Sequence, residues 1–148
     1  MSNINKIILT GIFTVVLFSR ISASNIELVP LIKFSYDKNL GLTYGFGASI
    51  ANFKQGLAHG PYTLVSYSRE GKGQNLSFGL FSGVGLASFR IGFNRMTIIE
   101  GGASKVLWGI EGCPTFFVVH INAGIMTDGD IFDRSKYQLN LSGGAGIF

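Results

Sequence analysis

Two histidines, His59 and His120, one cysteine, Cys113, and the aspartates of Thr127-Asp128-Gly129-Asp130-Ile131-Phe132-Asp133 are the side chains of this 148-residue sequence whose chemistry could extend beyond packing. A histidine beside a hydroxyl, with an acid to orient it, makes a base and a nucleophile. His120 is followed two residues on by Asn122, and Asp128, Asp130 and Asp133 lie beyond it as acidic side chains. An amide does not attack an ester, so His120 is expected to be held by hydrogen bonds, with catalysis as the competing idea. The aspartates supply hard oxygen ligands, but a helix-flanked calcium loop closes on a glutamate and none follows; a solvated turn is expected. Two histidines without a cysteine pair give zinc little to bind. Cys113 has no partner for an internal disulfide and is expected as a small apolar residue in the turn Glu111-Gly112-Cys113-Pro114. Gly41 to Gly47 has the glycine density of a phosphate loop, yet it lies in a strand with no helix after it. No cofactor and no metal are expected.

The elements that must position these residues follow from composition and period. With 47% hydrophobic and 14% charged residues and 13 phenylalanines, the chain has enough apolar surface to fold. Its 21 glycines show no triplet period, which excludes collagen. Residues 1–24 are expected to be a cleaved signal peptide: Lys6 precedes the uncharged run Ile7 to Phe18, too short for the roughly 20 residues of a spanning helix, and Ala23 or Ser24 suits a peptidase. No cysteine stands at the expected cleavage point after the apolar run, where Ser24 and Asn25 lie, so lipid anchoring is not expected. Removing Lys6 and Arg20 lowers the net charge from +4 to +2, so nucleic acid is not an expected partner. One domain, residues 25–148, remains.

Along that domain the period is two. Leu40, Leu42, Tyr44, Phe46, Ala48 and Ile50 alternate with Gly41, Thr43, Gly45, Gly47, Ser49 and Ala51, and the same pattern returns around residues 26–36, 76–81 and 137–142. The large residues change parity between Leu86 and Phe89, which requires a bulge or a turn. With a turn there, the strands are approximately 26–36, 40–53, 61–69, 75–86, 88–95, 103–111, 115–126 and 137–148. The longest loops are then Lys54 to Gly60, Arg95 to Gly102 and Thr127 to Lys136. The expected fold is all-β, an up-and-down antiparallel β-barrel of eight strands. Its large residues face outward, because the other face is glycine, serine, alanine and threonine, which suit a narrow interior. Glu27, Lys33, Arg90, Lys105, Glu111, His120, Asn122, Gln138 and Asn140 then point into the lumen as a polar network, and Trp108 and Tyr137 sit where interface anchors belong.

This signal peptide, these eight alternating segments and a last strand ending in Phe148 resemble the small outer-membrane β-barrels of Gram-negative bacteria. The resemblance implies a place in the outer membrane, contact with its lipid and lipopolysaccharide or a surface partner through the loops, and a structural or surface-interaction role without catalysis. That class carries apolar residues at alternate positions back from the terminal aromatic, but Gly146, Gly144 and Ser142 stand there, so either the strand end is bulged or Phe148 is not the assembly signal. The segment His120-Ile121-Asn122-Ala123-Gly124-Ile125 resembles the region of the active-site histidine in outer-membrane lipid A deacylases, which implies a lipid-modifying enzyme as an alternative. A soluble periplasmic barrel with its glycine face toward solvent is the other. The oligomeric state is left open.

Overall fold

The computed structural model describes residues 26–129 and 133–147; residues 1–24, Asp130 and Phe148, on which expectations rested, lie outside them. Eight strands follow one another: β1 (Ile26–Asp37), β2 (Gly41–Lys54), β3 (Leu57–Ser68), β4 (Gly73–Val84), β5 (Ala87–Glu100), β6 (Ala103–Phe116), β7 (Val119–Thr127) and β8 (Gln138–Ile147). Each pairs antiparallel with the next, and β8 pairs with β1, so the sheet is a closed up-and-down barrel. Among the described residues the remaining element is a single 3-10 turn, Arg134–Lys136.

The register fixes the size of the barrel. Carried once around from Glu27, through Ala51, Gly60, Phe81, Arg90, Cys113, Asn122 and Ser142, it returns to β1 at Asp37, ten residues further along. An offset of that size tilts the strands by about 40°, and eight strands leave an interior that side chains just fill. Small residues are therefore obligatory on the inner face. A Cβ on Gly92 would strike the Tyr62 hydroxyl and the Phe78 carbonyl, and one on Gly144 would strike Phe34 and Ser35 across the closing ladder.

The connections differ between the two ends. At the end where β1 starts and β8 finishes, Gln55-Gly56, Gly85-Leu86 and Phe117-Val118 are two-residue hairpins; Gln55, Gly56, Gly85 and Phe117 have positive φ, as such turns require. At the other end the links are 38–40, 69–72, 101–102 and 128–137. The parity change after Leu86 is thus a turn. Three expected boundaries need correction. Lys54 to Gly60 and Arg95 to Gly102 are mostly strand closed by tight hairpins, and Gly112-Cys113-Pro114 lies within β6. Glycine and proline suggest a turn locally, but the ladder from β5 runs through them, and Pro114 is paired there with Phe89. β8 reaches Ile147 in unbroken register, so no bulge accounts for Gly146, Gly144 and Ser142.

Leu40, expected on the outer face, turns inward from the β1–β2 link. With Met96, Ile98, Leu107 and Met126 it closes the lumen at the long-loop end. A second apolar cluster, Leu31, Tyr62 and Leu64 with Phe81 against it, lies deeper. Between β1 and β8 the seam is locked by Asp37. Its Oδ1 accepts the backbone N–H of Asn39 (2.8 Å) and Leu40 (3.1 Å), and its Oδ2 accepts Asn140 Nδ2 (3.1 Å). Asn39 Nδ2 donates to Asn140 Oδ1 (2.9 Å), and Lys38 N–H to Leu141 O (3.0 Å). Replacing Asp37 by alanine strands these donors in a buried place and is expected to cost roughly 2–4 kcal/mol, read as a lower urea midpoint of the folded barrel. Replacing Lys54, at the opposite rim, should leave the midpoint within about 0.5 kcal/mol.

Candidate functional site

The lumen collects most of the side chains expected there. Lys33, Arg90, Glu111, His120, Asn122 and Asn140 are buried in the barrel. Alternation puts them there: on each strand they share parity with the glycines and serines of the inner face. Two expected members are elsewhere. Glu27 has the inward parity but stands exposed in the first turn-side row of β1, where the barrel opens. Lys105 is at the opposite rim, half exposed, with its Nζ 2.7 Å from Asp128 Oδ2. Gln138 is half-buried at the same rim.

The buried charges balance. Glu111 and Asp37 attract the Lys33 ammonium and Arg90 repels it. Arg90 Nη2 donates to Cys113 Sγ at 2.8 Å, and its guanidinium carbon lies 5.6 Å from the centroid of the Tyr62 ring. Ser77 Oγ donates to Glu111 Oε1 at 3.3 Å. The lumen thus holds two cations and two carboxylates among the described residues, in a space too narrow for bulk water to screen them. Asp37, Tyr62 and Cys113 were not expected in this network. Asp37 looked like a turn residue and Cys113 sat beside a proline; counting parity from Lys33 and from Glu111 would have placed both inward.

His120 is 1% exposed and opposite Thr115 and Gly144. Asn122 Nδ2 donates to Ser142 Oγ at 3.0 Å, and Thr115 Oγ1 lies 3.8 Å from Cys113 Sγ. Asp128 is paired with Lys105, and Asp133 with Ser135 and Lys136, so neither described aspartate is shown orienting the histidine. Among the described residues no cluster of three or more His, Cys, Asp or Glu could hold a metal. At the hairpin end a cavity of about 380 Å³ opens, lined by Val29, Ala51, Phe81 and Phe117 among others.

The arrangement neutralises charge and fills space. Glu111→Gln is expected to lower stability by roughly 3–5 kcal/mol, because Lys33 and Arg90 lose a counter-charge where water cannot replace it. The pair Lys33→Met/Glu111→Leu should recover much of that loss, and an unchanged unfolding midpoint for Glu111→Gln would contradict the charge balance. At the rim, the hydrogen bond from Lys105 holds the Asp128 carboxyl below the usual carboxylate range. A depressed acid stabilises above its ordinary pKa and stops doing so as pH falls through the lowered one. The tie from β6 to the 128–137 link should therefore persist at neutral pH and release only below about pH 4, whereas Lys105→Met releases it at pH 7; amide exchange at Gly129 reports both. No protein-family model matches the chain, and neither a curated protein nor a solved structure matches it.

Proposed function

We propose that this chain is an integral outer-membrane β-barrel of a Gram-negative bacterium, exported by residues 1–24, with a structural or surface-interaction role. The observation that carries the reading is the outer wall. Seven of the eight strands turn large apolar side chains outward through the middle of the wall: Ile32 and Phe34 on β1, Tyr44 and Phe46 on β2, Leu76, Phe78 and Leu80 on β4, Ile91 and Phe93 on β5, Trp108 and Ile110 on β6, Ile121 and Ile125 on β7, Leu139 and Leu141 on β8. Strand β3 adds Leu57 at the rim and the half-buried Val65 and Tyr67, with Thr63 between. Water-soluble proteins rarely expose a continuous apolar surface beyond a few hundred Å². Here it encircles the molecule over a height on the order of 20 Å. Closure supports the same reading, since a barrel satisfies every strand's hydrogen bonds without water.

The edges of the wall fit the boundaries of a bilayer. Toward the hairpin end the outward residues of β2, β3 and β4 include one polar row, Asn52, His59 and Ser82, which are register partners; Ile26 and Phe89 continue that row, and Leu57 and Val84 lie beyond it. Toward the other end come Tyr36, Tyr44, Tyr67 and Trp108, with Tyr44 and Tyr67 stacked at 6.1 Å, the amphipathic rings that favour a membrane interface. Short hairpins on the side where β1 starts and β8 finishes, and the 128–137 link on the other, match the periplasmic and external sides of such barrels. With the lumen filled by side chains, the acting parts are the rims and the 128–137 link, and solute diffusion through the barrel is not part of the role.

Phe78 distinguishes a lipid-facing wall from a wet one. Phe78→Arg should cost roughly 2–4 kcal/mol in a bilayer, where the side chain sits near the middle of the apolar band, measured by urea unfolding in phosphatidylcholine vesicles. Expressed protein should also remain in carbonate-washed outer membranes and migrate differently on gels before and after boiling. Recovery in the soluble fraction, with Phe78→Arg as stable as the parent, would replace this reading with a soluble periplasmic barrel.

A further inference from the structure

Between its rims the outer wall carries one charged side chain among the described residues, Arg95 on β5. Its register partners are Leu76 and Trp108, and Phe93 is the next outward residue below it. The guanidinium carbon lies 5.4 Å from the centroid of the Trp108 ring. No ion pair joins Arg95 to an acidic side chain of the described residues. Toward the long-loop rim the next row holds Gln74 and Thr97, which are register partners. An aromatic face orients a guanidinium but leaves its charge uncancelled. A lipid-facing cation costs little only near the interface, where it meets water or an anion.

We infer that Arg95, braced on Trp108 and flanked by Gln74 and Thr97, binds the phosphate group of a membrane lipid in the leaflet at the 128–137 end. The inference rests on the membrane reading above. The guanidinium fork matches the paired oxygens of a phosphate. The side-chain amide of Gln74 and the hydroxyl of Thr97 offer further hydrogen bonds on the rim side. Below lie Leu76, Phe93 and Ile110, an apolar track for the acyl chains of the same lipid. Tyr67 pairs with Gln74, so the interfacial tyrosines occupy the neighbouring row, the depth at which lipid phosphates lie. Free phosphate would have to exchange bulk water for an apolar floor, whereas a lipid brings both halves of the match.

Trp108 is the one tryptophan of the sequence, so its emission reports directly on the stacked arginine. The folded protein in maltoside micelles, which contain no phosphate, is titrated with phosphatidic acid, with diacylglycerol of the same chains, and with inorganic phosphate. Phosphatidic acid should give a saturable change in Trp108 emission and raise the thermal midpoint; diacylglycerol and inorganic phosphate should not. Arg95→Gln should weaken the response at least tenfold while keeping heat-modifiable migration, and Arg95→Lys should keep part of it. An equal response from Arg95→Gln, or the same change with diacylglycerol or inorganic phosphate, overturns the site. Vesicles with brominated acyl chains test the membrane reading separately. Quenching of Trp108 without a phosphatidic acid response sinks the site alone, and absence of quenching sinks both.

Discussion

Six residue pairs between β1 and β8, from Ile32 with Ile147 to Asp37 with Ser142, turn a ribbon of hairpins into a barrel. Every other ladder joins sequence neighbours, six of the seven through links of two to four residues and the β7–β8 pair through 128–137, and can form locally. This one brings together residues more than a hundred positions apart, and it fixes the offset of ten residues on which tilt and diameter depend. The Asp37 carboxylate sits at its end, bonded to its own turn and to Asn140 on β8, so the last strand and the first turn are held by the same group.

Diameter then dictates composition. Inside, opposite strands are too close for large residues at every position, and the glycines at 92 and 144 stand where any side chain would collide with Tyr62 or Ser35. The volume that remains is divided into layers: apolar side chains around Met96 and Leu107 at one mouth, a charged and hydroxyl-rich middle, and the Leu31–Tyr62–Leu64 cluster toward the other. Charges are tolerated within the lumen because, with Asp37 counted, they come in equal numbers of each sign, and removing one is costlier than removing a pair. Packing and neutrality thus account for the composition of the lumen.

The outside obeys the opposite rule. There the strands offer room, and the sequence uses it for phenylalanine, leucine, isoleucine and tyrosine until the rims, where Lys38, Lys54, Arg69 and Lys72 return. Against such a wall a single guanidinium is conspicuous, since the free energy of placing it there depends on what lies beside it. Trp108 supplies one face of that environment, and the lipid phosphate we propose would supply the charge that no described side chain provides.

Alternation with period two was legible in the residues, and with it the strand count, the inward glycine face and the burial of Lys33, Arg90, Glu111, His120, Asn122 and Asn140. Local signals misled where tertiary pairing overrode them: Cys113-Pro114 reads as a turn, yet β5 keeps it in a strand. Parity says which way a side chain points but not how far along the barrel it lies, so Glu27 and Lys105 were indistinguishable from their buried neighbours until the tilt set them at the rims. The sequence by itself determined the faces, because each residue's side of a strand is a local property. Only the closed barrel decided which residues meet, since the partners of Asp37, Arg90 and Arg95 lie on other strands and are chosen by register and offset.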